Sequence, residues 1–385
     1  MKNAVLRRLA IFVCAGLATG IGASSALLGS CGPFTDFTDA VFCPFVLEIF
    51  YLGITTGTTA TTYDPASPVS RLQMAAFLSR TVDAALKRGS RRAALDQFWT
   101  SMNATVLGFT TVGGFPQYPA SDGTDIWVPT LLPFNVARVR ASDGKLLETW
   151  TAEDAEAALP AMGRVLVTGQ SIPGRLSSID PSQPAGVATL VASNLPGSLF
   201  GIAFDGSRVW VAGQTGAVGI VTPGPTIPWT VTTVTTGFSA VYGAIFDGAN
   251  VWVTDQTLNK LLKLDANGAI LQTMTVGGRP LMPVFDGASF WVPGNFANTV
   301  SVVRASTGVL LQTLTGNGLS GPTQAVFDGQ RILVTNQAST TVSLWKAADL
   351  SPLGSFDLGS QPLGACSDGV NFWVAMNDTG QVARF

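Results

Sequence analysis

The chain has 385 residues, of which 46% are hydrophobic and only 12% charged, with a net charge of −2. An ordinary globular domain carries about 25% charged residues; this profile excludes a disordered chain, a collagen and a coiled coil, and it leaves no broad basic surface for nucleic acid. Histidine is absent, which excludes Ser-His-Asp and Cys-His catalysis and any His-ligated zinc.

Residues 1–26 have the layout of a secretory signal peptide. Lys2, Arg7 and Arg8 form a positive start, Leu9 to Leu17 an apolar stretch, and Ser24-Ser25-Ala26 a small-residue cleavage site. Two alternatives stay open. The uncharged run from Leu9 to Thr35 is long enough for an uncleaved anchor, and Leu28-Gly29-Ser30-Cys31 loosely resembles a bacterial lipobox that would lipidate Cys31. Each of the three puts the body of the protein outside the cytoplasm. There Cys31 and Cys43 form a candidate disulfide, exclusive of a lipid on Cys31. Cys14 would leave with the signal, and Cys366 reads as a small buried hydrophobe.

Residues 34–98 read as a small helical module. Val41 to Leu52 is apolar and helix-length, with Pro44 in its first turn. A turn-rich loop runs from Gly53 to Pro65. A second helix then starts at the Ser70-x-x-Gln73 capping box, where each side chain meets a free N–H. Phe34-Thr35-Asp36, Gly53-Ile54-Thr55-Thr56-Gly57, Tyr63-Asp64-Pro65 and Val69-Ser70-Arg71-Leu72-Gln73-Met74-Ala75 resemble one S-layer homology module. The resemblance implies binding of cell-wall polysaccharide, with Arg71 and Gln73 standing in the family's Thr-Arg-Ala-Glu type motif. Gln73 replaces its acidic member, and one copy stands where the family usually has three. A plain helical cap on the next domain is the competing expectation. Lys87, Arg88, Arg91 and Arg92 read as a solvated helix end, or as attraction for anionic wall polymer.

Residues 99–385 are dominated by repetition. A Trp or Leu followed by Val recurs at Trp127, Leu166, Trp210, Trp252, Trp291, Leu333 and Trp373, at intervals of 39 to 44 residues. Asp-Gly precedes six of them, at Asp122, Asp205, Asp247, Asp286, Asp328 and Asp368, and Met162-Gly163 is a degenerate copy. Each unit reads as four short strands, for example 281–285, 290–292, 299–304 and 309–314. Asp-Gly suits a tight hairpin, and an apolar second strand without alternation is buried on both faces. Four strands per unit of this length predict a mainly β fold, a seven-bladed β-propeller. The chain ends after a third strand, 381–385, and 104–112 resembles a fourth. The predicted closure therefore joins one N-terminal strand to three C-terminal ones. Val334 to Val342 and Val292 to Val300 resemble YVTN-type repeats of bacterial propellers, a resemblance that implies fold more than function.

Propeller ligands usually bind at the mouth of the central channel. The segments expected there (113–121, 155–161, 196–203, 238–245, 277–284, 316–326 and 359–366) carry two charges, Glu156 and Arg279. That predicts no metal and no cofactor and argues against gluconolactonase-like chemistry, while the absence of histidine argues against streptogramin-lyase-like chemistry. Three residues after the shared Val stand Leu131, Gln170, Gln214, Gln256, Asn295, Gln337 and Asn377. Six carboxamides on one face would suit a neutral polar ligand such as a sugar; the competing expectation is that each satisfies the backbone of its own turn. Gly316-Asn317-Gly318-Leu319-Ser320-Gly321 matches G-x-G-x-x-G, but no helix pattern follows it, so it fails as a dinucleotide motif. Asn103 and Asn377 open glycosylation sequons that carry no meaning in a bacterial chain.

The expectation is an exported, non-enzymatic binding protein, secreted or in the cell envelope, whose partner is cell-wall polysaccharide or an extracellular protein. Nucleic acid is no partner, and membrane contact runs only through a Cys31 lipid or an uncleaved anchor. The alternatives are a His-free extracellular hydrolase or lyase on polysaccharide, which would need two carboxyls about 5–10 Å apart, and a lattice protein that self-associates.

Overall fold

The computed structural model describes residues 106–385 without a break. Before them it describes 31, 33–36, 39, 41–51, 54–55, 57–71, 73–74, 77–78 and 81. The signal segment, the basic run at 87–92 and Asn103 lie outside the described residues. The chain divides into two compact units, Met1–Thr100 and Ser101–Phe385.

In the first unit helix α1 spans Cys43–Tyr51. The Asp39 carboxylate accepts from the backbone N–H groups of Val41 (2.8 Å) and Phe42 (3.2 Å), donors that an entering helix leaves free. Cys31 and Cys43 are disulfide-bonded, with Cα atoms 5.6 Å apart. Around the bond pack Phe34 and Val46, with Leu47, Phe50 and Tyr63 at the margin. Asp36 ties the loop back by accepting from the N–H groups of Tyr63 and Asp64, each at 2.8 Å. The Ser70–Gln73 box forms as predicted. Ser70 N–H donates to Gln73 Oε1 at 2.8 Å, and Gln73 N–H to Ser70 Oγ at 3.2 Å.

The second unit is a propeller of seven sheets. Blade 1 is built from 114–151, blade 2 from Ala155–Leu195, blade 3 from Leu199–Val234 and blade 4 from Val241–Thr275. Blade 5 follows from 284 to Leu314 and blade 6 from Pro322 to Asp357. Blade 7 joins Pro362–Ser367, Phe372–Met376 and Gln381–Arg384 to Gly108–Thr111. The register Gly108↔Arg384 to Thr111↔Gln381 is antiparallel. One N-terminal strand thus completes the last blade and removes its open edge.

The second strands Val209–Gly213, Val251–Asp255, Ser289–Gly294 and Phe372–Met376 are buried along their whole length. The tryptophan in each lies against the next blade. Trp127 packs on Val165 and Val167, Trp210 on Val251 and Val253, and Trp373 on Ile126 and Val128. Leu166 and Leu333 do the same with smaller side chains. The shared Asp holds this arrangement. One carboxylate oxygen accepts from the turn N–H groups, and the other from the indole Nε1–H. The indole bonds are 2.8 Å at Asp122, Asp205 and Asp368 and 2.7 Å at Asp247 and Asp286. The turn glycine is the first of two loop residues, with φ between +89° and +100° at Gly123, Gly206, Gly248, Gly287, Gly329 and Gly369. This is a hairpin position that excludes most side chains.

Two inner strands are shorter than predicted. In blade 5 the strand is Val284–Phe285, not 281–285. In blade 1 it splits into Gly114–Pro116 and Ala120–Ser121. Each break holds a proline, Pro283 or Pro119, which has no N–H for the ladder. The residue before each proline turns to the neighbouring blade instead. Met282 N–H donates to Thr323 O (3.0 Å) and Tyr118 N–H to Glu156 O (3.1 Å).

Candidate binding face and channel mouth

The channel is lined by the inner strands and filled by their side chains. Tyr118, Ala157, Tyr242, Leu281, Met282 and Leu363 form one buried cluster, with Phe200 and Ile202 beside it. The Tyr118 and Tyr242 hydroxyls, from blades 1 and 4, are 2.8 Å apart, and Phe200 stacks on Tyr242 with ring centroids 4.5 Å apart. Backbones meet directly around this plug. A Cβ at Gly243 would lie 2.5 Å from Pro283 Cδ and 2.6 Å from Leu281 O; one at Gly364 would lie 2.3 Å from Gln117 O.

Both charges predicted for the mouth are there, and neither stands free. Glu156 is 1% exposed and accepts a hydrogen bond from Gln170 Nε2. Burial pushes its carboxyl up to about 8, against the pull of that bond, so it is neutral at pH 7. Burial likewise holds both phenols above their ordinary range. Arg279 has φ +53° and lies over the Phe296 ring, 4.7 Å from its centroid. Its Nε donates to Gln256 Oε1 at 3.2 Å, and its Nη1 to Asn295 Oδ1 at 3.1 Å.

The six carboxamides lie on the same face of the propeller. Each follows the second strand of its blade. Its backbone N–H donates into the loop that enters the inner strand: Gln170 to Asp154 O, Gln214 to Ser198 O, Gln256 to Ala240 O, Asn295 to Arg279 O, Gln337 to Gly321 O and Asn377 to Gln361 O, all at 2.9–3.2 Å. The side chains do not simply satisfy their own turns. Asn295 Nδ2 reaches Pro322 O in blade 6 (3.4 Å), and Asn377 Nδ2 reaches Pro116 O in blade 1 (3.3 Å). Gln337 Oε1 accepts from Thr323 Oγ1 at 3.4 Å. The Gln214 amide has no hydrogen-bond partner among the described residues. Ser171 and Thr299, beside the Gln170 and Asn295 turns, each bury a hydroxyl without a partner.

Two further predicted site residues, Arg71 and Gln73, belong to the first unit. Both are exposed, and the Gln73 side chain is engaged in the helix cap. Among the described residues no group of three or more His, Cys, Asp or Glu is placed to hold a metal, and no helix is long and apolar enough to cross a membrane. Cys366 is a buried free thiol, as predicted. Residues 316–321 form a loop between blades 5 and 6, not a dinucleotide turn.

Sequence reasoning missed the tyrosine plug. Its signal was Tyr118 and Tyr242, two of only four tyrosines, nine and ten residues before the shared Trp of their blades.

No protein-family model and no curated protein sequence matches the chain. Solved structures do. A streptogramin B lyase superposes with a TM-score of 0.60 at 12% identity, covering 73% of this chain and 99% of that one. A catalytically inactive histidine-to-alanine variant of virginiamycin B lyase from Staphylococcus aureus, solved with quinupristin, gives 0.60 at 13% identity, covering 72% and 98%. The WD40 β-propeller domain of Doa1 gives 0.58 at 13% identity, covering 73% and 95%. What this chain shares with a lyase and with a WD40 domain is the seven-bladed propeller fold.

Proposed function

We propose that the protein is an exported, non-enzymatic binding protein of the cell envelope or the surrounding medium. Its propeller presents the carboxamide face to a glycan, and residues 34–98 tether or cap it at the wall. The observation that carries this proposal is the shared face of Gln170, Gln214, Gln256, Asn295, Gln337 and Asn377 on a scaffold whose channel is filled. A ligand is then met on the surface, by neutral donors and acceptors beside the Arg279 guanidinium. The free Gln214 amide and the unpartnered Ser171 and Thr299 hydroxyls support it. The Cys31–Cys43 disulfide supports an oxidising compartment.

Likeness to the lyase structures does not favour the enzymatic alternative. The inactive variant is named for a lost histidine, and this chain contains none. Glu156, the one carboxyl predicted for the mouth, is shut away from substrate by its burial.

Co-sedimentation with purified bacterial wall sacculi tests the proposal. The full chain should pellet, and a Gln214→Ala/Gln337→Ala variant should pellet at least threefold less. Arg71→Ala should weaken pelleting further if the first unit tethers. A full chain that stays in solution, or a double variant that pellets like the parent, contradicts it.

A further inference from the structure

Blade 2 breaks the repeat at one point. Two residues before the shared Trp or Leu stand Arg164, Arg208 and Arg331 in blades 2, 3 and 6. Arg208 and Arg331 are each held by their own turn aspartate, Asp205 at 2.9 Å and Asp328 at 2.7 Å. In blade 2 that aspartate is Ala161. Arg164 is left with Asp180 at 3.8 Å, beyond hydrogen-bond distance, and about half of its side chain is exposed. It stands beside the Met162-Gly163 turn, at the end of its strand opposite Gln170, so the site lies away from the carboxamide face.

Arg164 lines a groove of about 640 Å³ between blades 2 and 3, with Ser178, Thr189, Val191, Ile227 and Trp229. Two more groups there have unmet valence. Ser178 is 3% exposed, and its hydroxyl has no partner. Six tryptophans give their indole N–H to a carboxylate; Trp229 does not. Its backbone is fixed instead, with its N–H donating to Val191 O at 2.7 Å, so its ring is held at the groove by blade 2.

We propose that this groove is a second binding site, for one ring of an acidic saccharide. A half-buried indole offers a flat apolar face and a free N–H, the ring C–H face of a pyranose being its complement. The Ser178 and Thr189 hydroxyls meet sugar hydroxyls. The Arg164 fork, released from its turn aspartate, meets a carboxylate in bidentate geometry.

Calorimetric titration of the full chain with trigalacturonate, and with its methyl ester, tests the site, because the two differ in charge and keep the same rings. The acid should bind, and the ester at least tenfold more weakly. Trp229→Ala should abolish binding. Arg164→Ala should bring acid and ester to the same weak affinity; as a surface change it reports even if Trp229→Ala fails to fold. Ser178→Ala should weaken the acid several-fold while melting no lower than the parent, since it removes an unsatisfied buried hydroxyl. No binding of the acid, equal binding of acid and ester to the parent, or an acid affinity undiminished in Arg164→Ala overturns the proposal.

Discussion

Asp286 shows how much one side chain carries in this fold. Its carboxylate accepts from the Ala288 and Ser289 N–H groups and from the Trp291 indole, all within 2.8 Å. Asp286→Ala strands those donors, and a chemical denaturation midpoint should show a loss of about 2–4 kcal/mol, from one to two charge-assisted bonds. For Asp122, Asp205 and Asp368, burial pushes the carboxyl up, but the indole and turn N–H groups outweigh it and hold each below its ordinary value. A lowered folded pKa stabilises above the unfolded value, so stability should fall away as pH drops below about 4. Glu156 has the opposite sign. Burial raises it to about 8, so folding retains a proton that the unfolded chain releases, and stability should decline between pH 4.5 and 8. The slope is at most about 1.4 kcal/mol per pH unit. Glu156→Gln should flatten that decline while keeping a partner for Gln170; melting curves at pH 5 and pH 8 measure it, and an unchanged slope contradicts the assignment.

Strands and turns were legible wherever one signal dominated. The Val after each Trp or Leu, the Asp-Gly pairs and the apolar second strands placed all seven blades, because each encodes a local constraint: burial on both faces, or a positive-φ turn that favours glycine. Thr299–Arg304 came out at its predicted bounds. The inner strands were less legible. Pro119 and Pro283 divert Tyr118 and Met282 to neighbouring blades, and such pairing depends on a partner about 40 residues away in the chain. The carboxamides were legible as a positional pattern; their partners were not, since Asn377 bonds Pro116 across the closure and Arg279 links Gln256 to Asn295. Inner-strand contact explains Gly243, where any Cβ meets Pro283 and Leu281. Gly243→Ala should cost about 1–3 kcal/mol by overpacking, measured as a lowered unfolding midpoint; a neutral result would mean that the inner strands move apart readily.

At the scale of the molecule, closure makes the seven blades one body. Residues 108–111 supply the outer strand of blade 7, so a chain lacking 1–112 leaves Gln381–Arg384 as an open edge. Size-exclusion chromatography should show that truncated protein as oligomer or aggregate and the full chain as a discrete species. In the first unit, the disulfide spans 12 residues and contributes about 3 kcal/mol in the chain-entropy model. Reduction should speed amide exchange across Cys43–Tyr51 and leave the propeller strands protected. The binding surface we propose is the carboxamide face. Hydrogen exchange of the full chain, with and without soluble wall-polysaccharide fragments, tests it most directly. Protection should gather in the turns beginning at Gln170, Gln214, Gln256, Asn295, Gln337 and Asn377. Protection confined to the opposite face, or no change in those turns at saturating polysaccharide, would contradict it.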